Sequence, residues 1–164
     1  LPLFDHQFRA MGGPCRLRFA CADDVLAGRV ITAAETEVRR LEQKYSRYLP
    51  DSLTSAINRA AGAQQSVPVD DETAAMLGFA HTLWQQSDGL FDLTAGILRR
   101  AWDFRSGRLP AQSAIDRLLP LIGWQQVQWD ASSIRLPLAW LAELGLPWFA
   151  VDSAMECHGE LRTE

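Results

Sequence analysis

The stretch FDHQFRAMGGPCRLRFAC, residues 4–21, decides how the chain begins. Phe4, His6, Phe8 and Ala10 alternate with polar residues, and so do Cys15, Leu17, Phe19 and Cys21 around Arg16 and Arg18. A period of two marks a strand with one buried face. Gly12, Gly13 and Pro14 interrupt the alternation, as turn residues do. The stretch therefore predicts a β-hairpin.

Beyond it the period changes. Leu26, Val30, Ala34, Val38, Leu41, Tyr45 and Tyr48 recur at steps of three and four, which predicts a long amphipathic helix. Asp23 or Asp24 caps its start, and Glu35 and Arg39 sit four apart on its wet face. Pro50 ends the run, and Asp51 or Ser52 caps a short helix reaching Ala60. Residues 62–68 read as a loop. Asp70, Asp71 and Glu72 open another helix at its positive end, with Met76, Phe79, Ala80 and Leu83 as its stripe and Gly89 as its C-cap. A third helical segment is expected over Leu93–Trp102. Ser113 and Asp116 form a capping-box-like start for a helix through Leu118, Leu119 and Ile122, ended by Gly123. Val127 with Trp129, and Ile134 with Leu136, predict a second hairpin around 130–133.

The order β-β-α-α-α-α-β-β places strands at both ends and helices between them. That pattern predicts an α+β fold, with antiparallel hairpins at the two ends packed on a central set of helices. Residues 4–137 form the patterned region. Residues 138–164 hold neither period for long; a helix over 138–144 or an irregular tail both suit them.

Composition narrows the function. Of 164 residues, 48% are hydrophobic and 22% charged, and 16 basic against 20 acidic residues give a net charge of −4. A chain so composed is an ordinary folded protein, with no electrostatic reason to bind nucleic acid. No apolar run approaches the roughly 20 residues of a membrane span. Lys44 is the only lysine, so chemistry that needs one has a single candidate. Cys15, Cys21 and Cys157 include no CxxC pair, so neither a zinc site nor a disulfide framework is indicated. Cys15 and Cys21 fit the inner face of the hairpin as small hydrophobes. Unpaired cysteines suit a reducing cytoplasm. His6, His81 and His158 have no partner at metal-ligand spacing, and no GxSxG or HExxH motif occurs.

Three stretches carry candidate chemistry, each with a plain structural alternative. AMGG, residues 10–13, lets backbone approach a ligand closely, or is only a hairpin turn. In YSRYLPDSLTSAIN, residues 45–58, Tyr48 can stack on a planar ring while Ser52 and Asn58 offer hydrogen bonds. Alternatively Tyr48 finishes a helix, Pro50 breaks it and Asp51 caps the next. In SDGLFDLTAGILRRAWDF, residues 87–104, Phe91 offers a flat face, Asp92 accepts hydrogen bonds, and Trp102 and Phe104 add aromatic surface. The alternative is another capped start, with Asp92 as N-cap and Phe91 as a hydrophobic staple.

Taken together and in order, these stretches resemble the FAD:protein FMN transferases, the ApbE family. That family shows an AMGT-like turn, a long helix, an S-x-Y-x-x-x-S…N segment, a GxFDxT segment and a WGF-like triplet. Here they stand as AMGG, SRYLPDS with Asn58, GLFDLT and WDF, over residues 4–137. The resemblance implies FAD as substrate and Mg²⁺ as cofactor. It implies transfer of FMN to a threonine of a target flavoprotein. The residues matching family FAD contacts are Met11, Tyr48, Leu90, Phe91 and Asp92. Many relatives are lipid-anchored in the periplasm, the alternative to a cytoplasmic location. The family's next motif, D-x-G-G-x-x-K-G-like, departs here: residues 138–154 read LAWLAELGLPWFAVDSA, with Pro147 about where the lysine falls and FAVD at 149–152 matching the motif's end. No catalytic residue or metal ligand is assigned, and the expectation is weak transfer by these 164 residues alone. The alternatives are an inactive FAD-binding module or a structural interaction protein.

Overall fold

A computed structural model describes residues 1–61, 63, 65–102 and 106–137. The chain divides into two compact units, the first Leu1–Ser46 and the second beginning at Arg47. The expected tail helix over 138–144, the FAVD stretch, Phe104, Cys157 and His158 lie outside the described residues.

The first unit opens with the predicted hairpin. Strand β1 (Leu3–Ala10) pairs antiparallel with β2 (Gly13–Ala20), with Ala10 opposite Gly13. The turn is therefore Met11–Gly12, with φ of 52° and 77°. Two successive positive φ angles give the two-residue turn whose twist matches that of the flanking strands. This corrects the expected break at Gly12, Gly13 and Pro14: Gly13 and Pro14 belong to β2. Alternation holds, with Phe4, His6, Phe8, Ala10, Cys15, Leu17 and Phe19 turned inward and exposed residues between them. Phe4 stacks on Phe19 with ring centroids 5.6 Å apart. Cys15 is half-buried and Cys21 buried, both as free thiols.

Helix α1 (Asp24–Tyr45) follows. Asp23 caps it, its Oδ1 accepting from the backbone N–H of Val25 at 2.6 Å and of Leu26 at 3.2 Å. Its inward stripe is Ala27, Ile31, Ala34, Val38, Leu41 and Tyr45, while Leu26 and Val30 are exposed. The expected stripe ran back from Val38 in steps of four, and each such step drifts about 40° around a helix of 3.6 residues per turn. Alternating steps of four and three hold one face. Tyr48 lies past the helix end and outside the stripe. Glu35 is not simply on a wet face either. Its Oε1 meets His6 Nε2 of β1 at 2.5 Å, while Oε2 accepts from Arg39 at 3.4 Å.

The second unit is built on a three-stranded antiparallel sheet in the order β3 (Val67–Pro68), β5 (Ser133–Arg135), β4 (Gln128–Trp129). The predicted second hairpin is β4–β5. The loop expected over 62–68 instead ends in the edge strand β3, whose two residues are too few to show alternation. Pro68 is tolerated because β3 is an edge. Helix α2 (Leu53–Ala60) is capped by Ser52, whose Oγ accepts from Ser55 N–H at 3.0 Å. Helix α3 (Asp71–Gln86) is capped by Asp70, which accepts from Thr73 N–H at 3.0 Å.

Two expectations fail on these helices. The buried face of α3 is Thr73, Leu77 and Ala80, whereas Met76 and Phe79 are exposed. Apolar residues from Ala74 to Trp84 cover most of the circumference, so periodicity alone leaves the face open. Packing of Leu77 into the core decides it. Helix α4 (Gln112–Leu118) begins at Ala111 without a side-chain cap, and Asp116 accepts instead from Gln112 Nε2 at 2.8 Å. It stops at Leu118 because Pro120 follows within a 3₁₀ turn over Leu119–Leu121; proline lacks the N–H that an α-helix would need there. The segment after Asp92 is also 3₁₀, over Leu93–Arg100.

Ile57, Ala61, Leu77, Ile97, Leu118, Trp124, Val127, Ile134 and Leu136 form this unit's core. Ile134 lies on the central strand and is fully buried. Ile134→Ala therefore removes three methyl-sized groups from the middle of the core and is expected to cost about 2–5 kcal/mol. A urea-unfolding midpoint unchanged from wild type would contradict this placement.

The first unit yields a pH dependence. The His6 hydrogen bond, helped by Arg39, holds the Glu35 carboxyl below its ordinary value of 4.5 against the opposing effect of desolvation. A carboxyl lowered on folding stabilises fully above its unfolded-state value, and loses that effect as pH falls through the folded-state value. Glu35→Gln is expected to unfold earlier than wild type at pH 6, with the gap closing as pH falls below 4.5. Thermal melts of both proteins across that range test it; a gap independent of pH would assign the contact no ionic character.

Candidate functional site

The site residues expected after α3 are positioned by the way that helix ends. Ser87 N–H bonds the Leu83 carbonyl at 3.0 Å and Gly89 N–H the Trp84 carbonyl at 2.9 Å. Asp88 and Gly89 both have positive φ, 50° and 81°. A Cβ on Gly89 would also meet Trp84 Nε1 at 3.4 Å. The C-cap is therefore Ser87 rather than the expected Gly89, which follows it by two residues and supplies the second left-handed position of the turn. The Ser87 hydroxyl then accepts from Phe91 N–H at 2.9 Å, which fixes the backbone of the two residues carried outward. Leu90 is 92% exposed and Phe91 40% exposed. Such side chains lose apolar hydration only against something else.

Asp92 sits at the next junction as the N-cap of the 3₁₀ segment. Its Oδ1 accepts from Thr94 N–H at 2.7 Å and from the Thr94 hydroxyl at 2.6 Å. Its Oδ2 accepts from Trp124 N–H at 2.9 Å. Thr94, fully buried, accepts in turn from Gly123 N–H at 2.9 Å. One carboxylate thus joins the start of the 3₁₀ segment to the chain 32 residues on. The capping reading of Asp92 holds, and a ligand bond from it would use lone pairs these donors leave. Behind it the Trp124 indole donates to His81 Nδ1 at 3.1 Å, which sets that nitrogen as the unprotonated one. His81 also stacks on Trp84, 5.9 Å between centroids.

Tyr48 stands apart from this backbone network and is 62% exposed. The Arg47 guanidinium lies over its ring, 4.7 Å from the centroid. The Tyr48 hydroxyl accepts from Arg47 Nη2 at 2.6 Å and from Arg99 Nη1 at 3.1 Å. Arg99 belongs to the 3₁₀ segment that Asp92 caps. Tyr48 is therefore tied to the same piece of chain as Leu90, Phe91 and Asp92, across 51 residues of sequence. Ser52 and Asn58, both buried, belong to the start and the last turns of α2. Met11 is half-buried in the turn of the first unit.

Sequence reading misses Arg47, Arg99 and the two amides at Gly123 and Trp124. No local pattern marks Arg99 or the two amides, because each acts through a partner distant in sequence, and Arg47, beside Tyr48, belongs to no motif of its own. Among the described residues no group of three His, Cys, Asp or Glu side chains lies close enough to hold a metal. No helix among them is long and apolar enough to cross a membrane.

Comparison with known proteins places the sequence and the fold. The sequence model of the ApbE family matches residues 11–146. The chain is 28% identical over 99 residues to an FAD:protein FMN transferase of Chlamydia pneumoniae, across 59% of this chain and 31% of that protein. The fold superposes on the apo flavinyl transferase ApbE of Pseudomonas stutzeri with a TM-score of 0.64 and 26% identity, covering 90% of this chain and 49% of that one. It also superposes on the ApbE protein of Thermotoga maritima with a TM-score of 0.67, covering 83% of this chain and 45% of that one. At 24% identity the second likeness concerns the fold alone. The chain spans less than half the length of each of these relatives. With the family model matched over most of its length and an α+β fold of the same kind, the chain belongs to the ApbE family.

Proposed function

We propose that the chain binds FAD and serves transfer of its FMN part to a threonine hydroxyl of a flavoprotein acceptor. In that reaction the threonine oxygen forms a bond to the FMN-side phosphorus. The bond from that phosphorus to the bridging oxygen breaks, AMP leaves with the electron pair, and the hydroxyl proton is released. Family membership supports the reaction class. The observation that carries the reading is the Leu90–Phe91 pair, held outward by Ser87 on one side and Asp92 on the other.

The proposed FAD contacts are Tyr48, Leu90, Phe91 and Asp92 in the second unit and Met11 in the first. Phe91 offers a ring face to the flavin or the adenine, and Leu90 adds apolar cover. Asp92 keeps Phe91 in place through the cap of the following segment. Tyr48 stacks through the ring face away from Arg47. Mg²⁺, when bound, neutralises charge on the pyrophosphate oxygens. The described residues offer no group of three ligands for it, and no step is routed through it.

A second reading has the chain hold FAD without transferring it. Pro147, standing about where the family motif carries a lysine, favours that reading. Two measurements separate the readings. Flavin fluorescence titration is expected to show FAD binding in the micromolar range. Incubation with FAD, Mg²⁺ and an acceptor bearing a threonine flavinylation motif is expected to give slow covalent FMN incorporation. Binding with no incorporation selects the second reading, and absence of binding overturns both. Phe91→Ala is expected to weaken FAD about two- to tenfold, the usual worth of an aromatic pair. Unchanged affinity would remove Phe91 from the contact set.

A further inference from the structure

We propose that the indole N–H of Trp84 donates a hydrogen bond to an acceptor on the edge of the FAD ring that stacks at Phe91, through an opening left by Gly89. The inference rests on the FAD reading above and adds to it the polar contact that fixes how the ring lies.

Trp84 stands in the last turn of α3, half-buried against the core of its unit. An indole nitrogen is a donor only, and an indole taken out of water usually finds an acceptor. Trp124, in the same aromatic group, finds one in His81 Nδ1 at 3.1 Å. Trp84 does not. Its backbone carbonyl accepts from the Ser87 hydroxyl at 3.3 Å, but among the described residues its indole N–H meets no acceptor. The ring is held all the same. His81 stacks on it with the two planes 18° from parallel, and the Trp124 indole holds His81 in turn. The donor is therefore fixed in place and unused.

Gly89 decides what reaches it. A Cβ there would lie 3.4 Å from Trp84 Nε1 and 3.9 Å from Cε2; apart from chain neighbours, no other atom of the described residues comes within 4 Å of that position. A single added carbon would thus crowd the edge of the indole that carries the N–H. Glycine leaves that edge clear for an acceptor at the roughly 2.9–3.0 Å of an ordinary N–H bond. The opening adjoins the Leu90–Phe91 pair, because two trans peptides put the Gly89 and Phe91 Cα atoms no more than about 7.6 Å apart. Both ring systems of FAD carry acceptors on their edges: carbonyl oxygens and unprotonated nitrogens on the flavin, unprotonated nitrogens on the adenine. A face such as Phe91 accepts any flat ring and lets it turn in its own plane. One placed polar group at the edge selects both the kind of ring and its orientation, as in binding sites generally.

The test follows the Trp84 indole proton in a nitrogen–proton correlation spectrum of the full chain. Its six tryptophans give six indole signals, and Trp84→Phe identifies one by removing it. Should that variant not fold, Overhauser contacts to the Gly89 protons identify the signal in wild type. Saturating FAD is expected to move the Trp84 signal downfield and to slow its exchange with solvent deuterium about tenfold or more. The same measurement with riboflavin and with AMP assigns the acceptor, since the fragment that reproduces the protection carries the bonded ring. Trp84→Phe is expected to weaken FAD about two- to tenfold, the usual contribution of one neutral hydrogen bond. An unprotected Trp84 proton in the FAD complex, or equal FAD affinity in Trp84→Phe and wild type, overturns the bond and leaves the FAD reading standing. Absence of FAD binding to wild type overturns both.

Discussion

The second unit depends on a single carboxylate. Asp92 ends one connection, begins a 3₁₀ segment and holds the backbone at Trp124. Each of its bonds is charge-assisted, and bonds of that kind contribute about 1.5–3 kcal/mol apiece when a partner group is half-buried. Thr94 extends the junction to Gly123 with no solvent access at all. Without the carboxylate, the Thr94 hydroxyl and two backbone amides would face a protein interior with fewer acceptors than donors. The aromatic group behind it, Trp124 with His81, Trp84 and Trp129, would lose the anchor that sets the indole of Trp124 against His81. Leu90 and Phe91 precede that anchor directly, which is why two apolar side chains can be held toward solvent rather than folding back.

The first unit is organised by a turn that bears some strain. Met11 adopts a left-handed backbone conformation, which for a residue with a Cβ costs about 1–2 kcal/mol. Glycine would avoid that cost. The hairpin register demands two positive φ angles here, and only one of the two positions is a glycine. Strain of this kind persists where the surroundings over-determine it. Eight paired positions along β1 and β2 do so, and the His6–Glu35 contact adds a tie from the hairpin to α1.

How much of this is legible in sequence depends on the range of the signal. Both hairpins and the caps at Asp23, Ser52 and Asp70 are local, and each is read from a few adjacent residues, while the stop expected at Gly89 falls two residues earlier, at Ser87. The faces of α1 and α3 are less local. On α1 a drift of one residue moves the stripe from Ala27 and Ile31 to Leu26 and Val30. On α3 a surplus of apolar residues leaves Leu77 and Phe79 equally eligible, and only the core around Trp124 and Ile134 separates them. Strand β3 is invisible because two residues have no period. The Arg47–Tyr48–Arg99 meeting is beyond any window, since its partners come from segments 51 residues apart.

The two readings of the GLFDLT stretch, capped helix start and ligand contact, are not rivals. A contact residue is effective when its position is fixed before the ligand arrives, because ordering a loop on binding subtracts from affinity. Capping is what fixes it here: Asp92 spends its oxygens on Thr94 and Trp124, Ser87 holds the Phe91 amide, and the exposed rings inherit a rigid base. The same logic covers Tyr48. It leaves the α1 stripe and enters solvent, yet its hydroxyl and one ring face are held by Arg47 and Arg99. In both places hydrogen bonding holds the residue at its base and leaves an aromatic surface presented outward. A bare turn would also satisfy the backbone. It would have no reason to present Leu90 and Phe91 to water, and the proposed FAD contact supplies one.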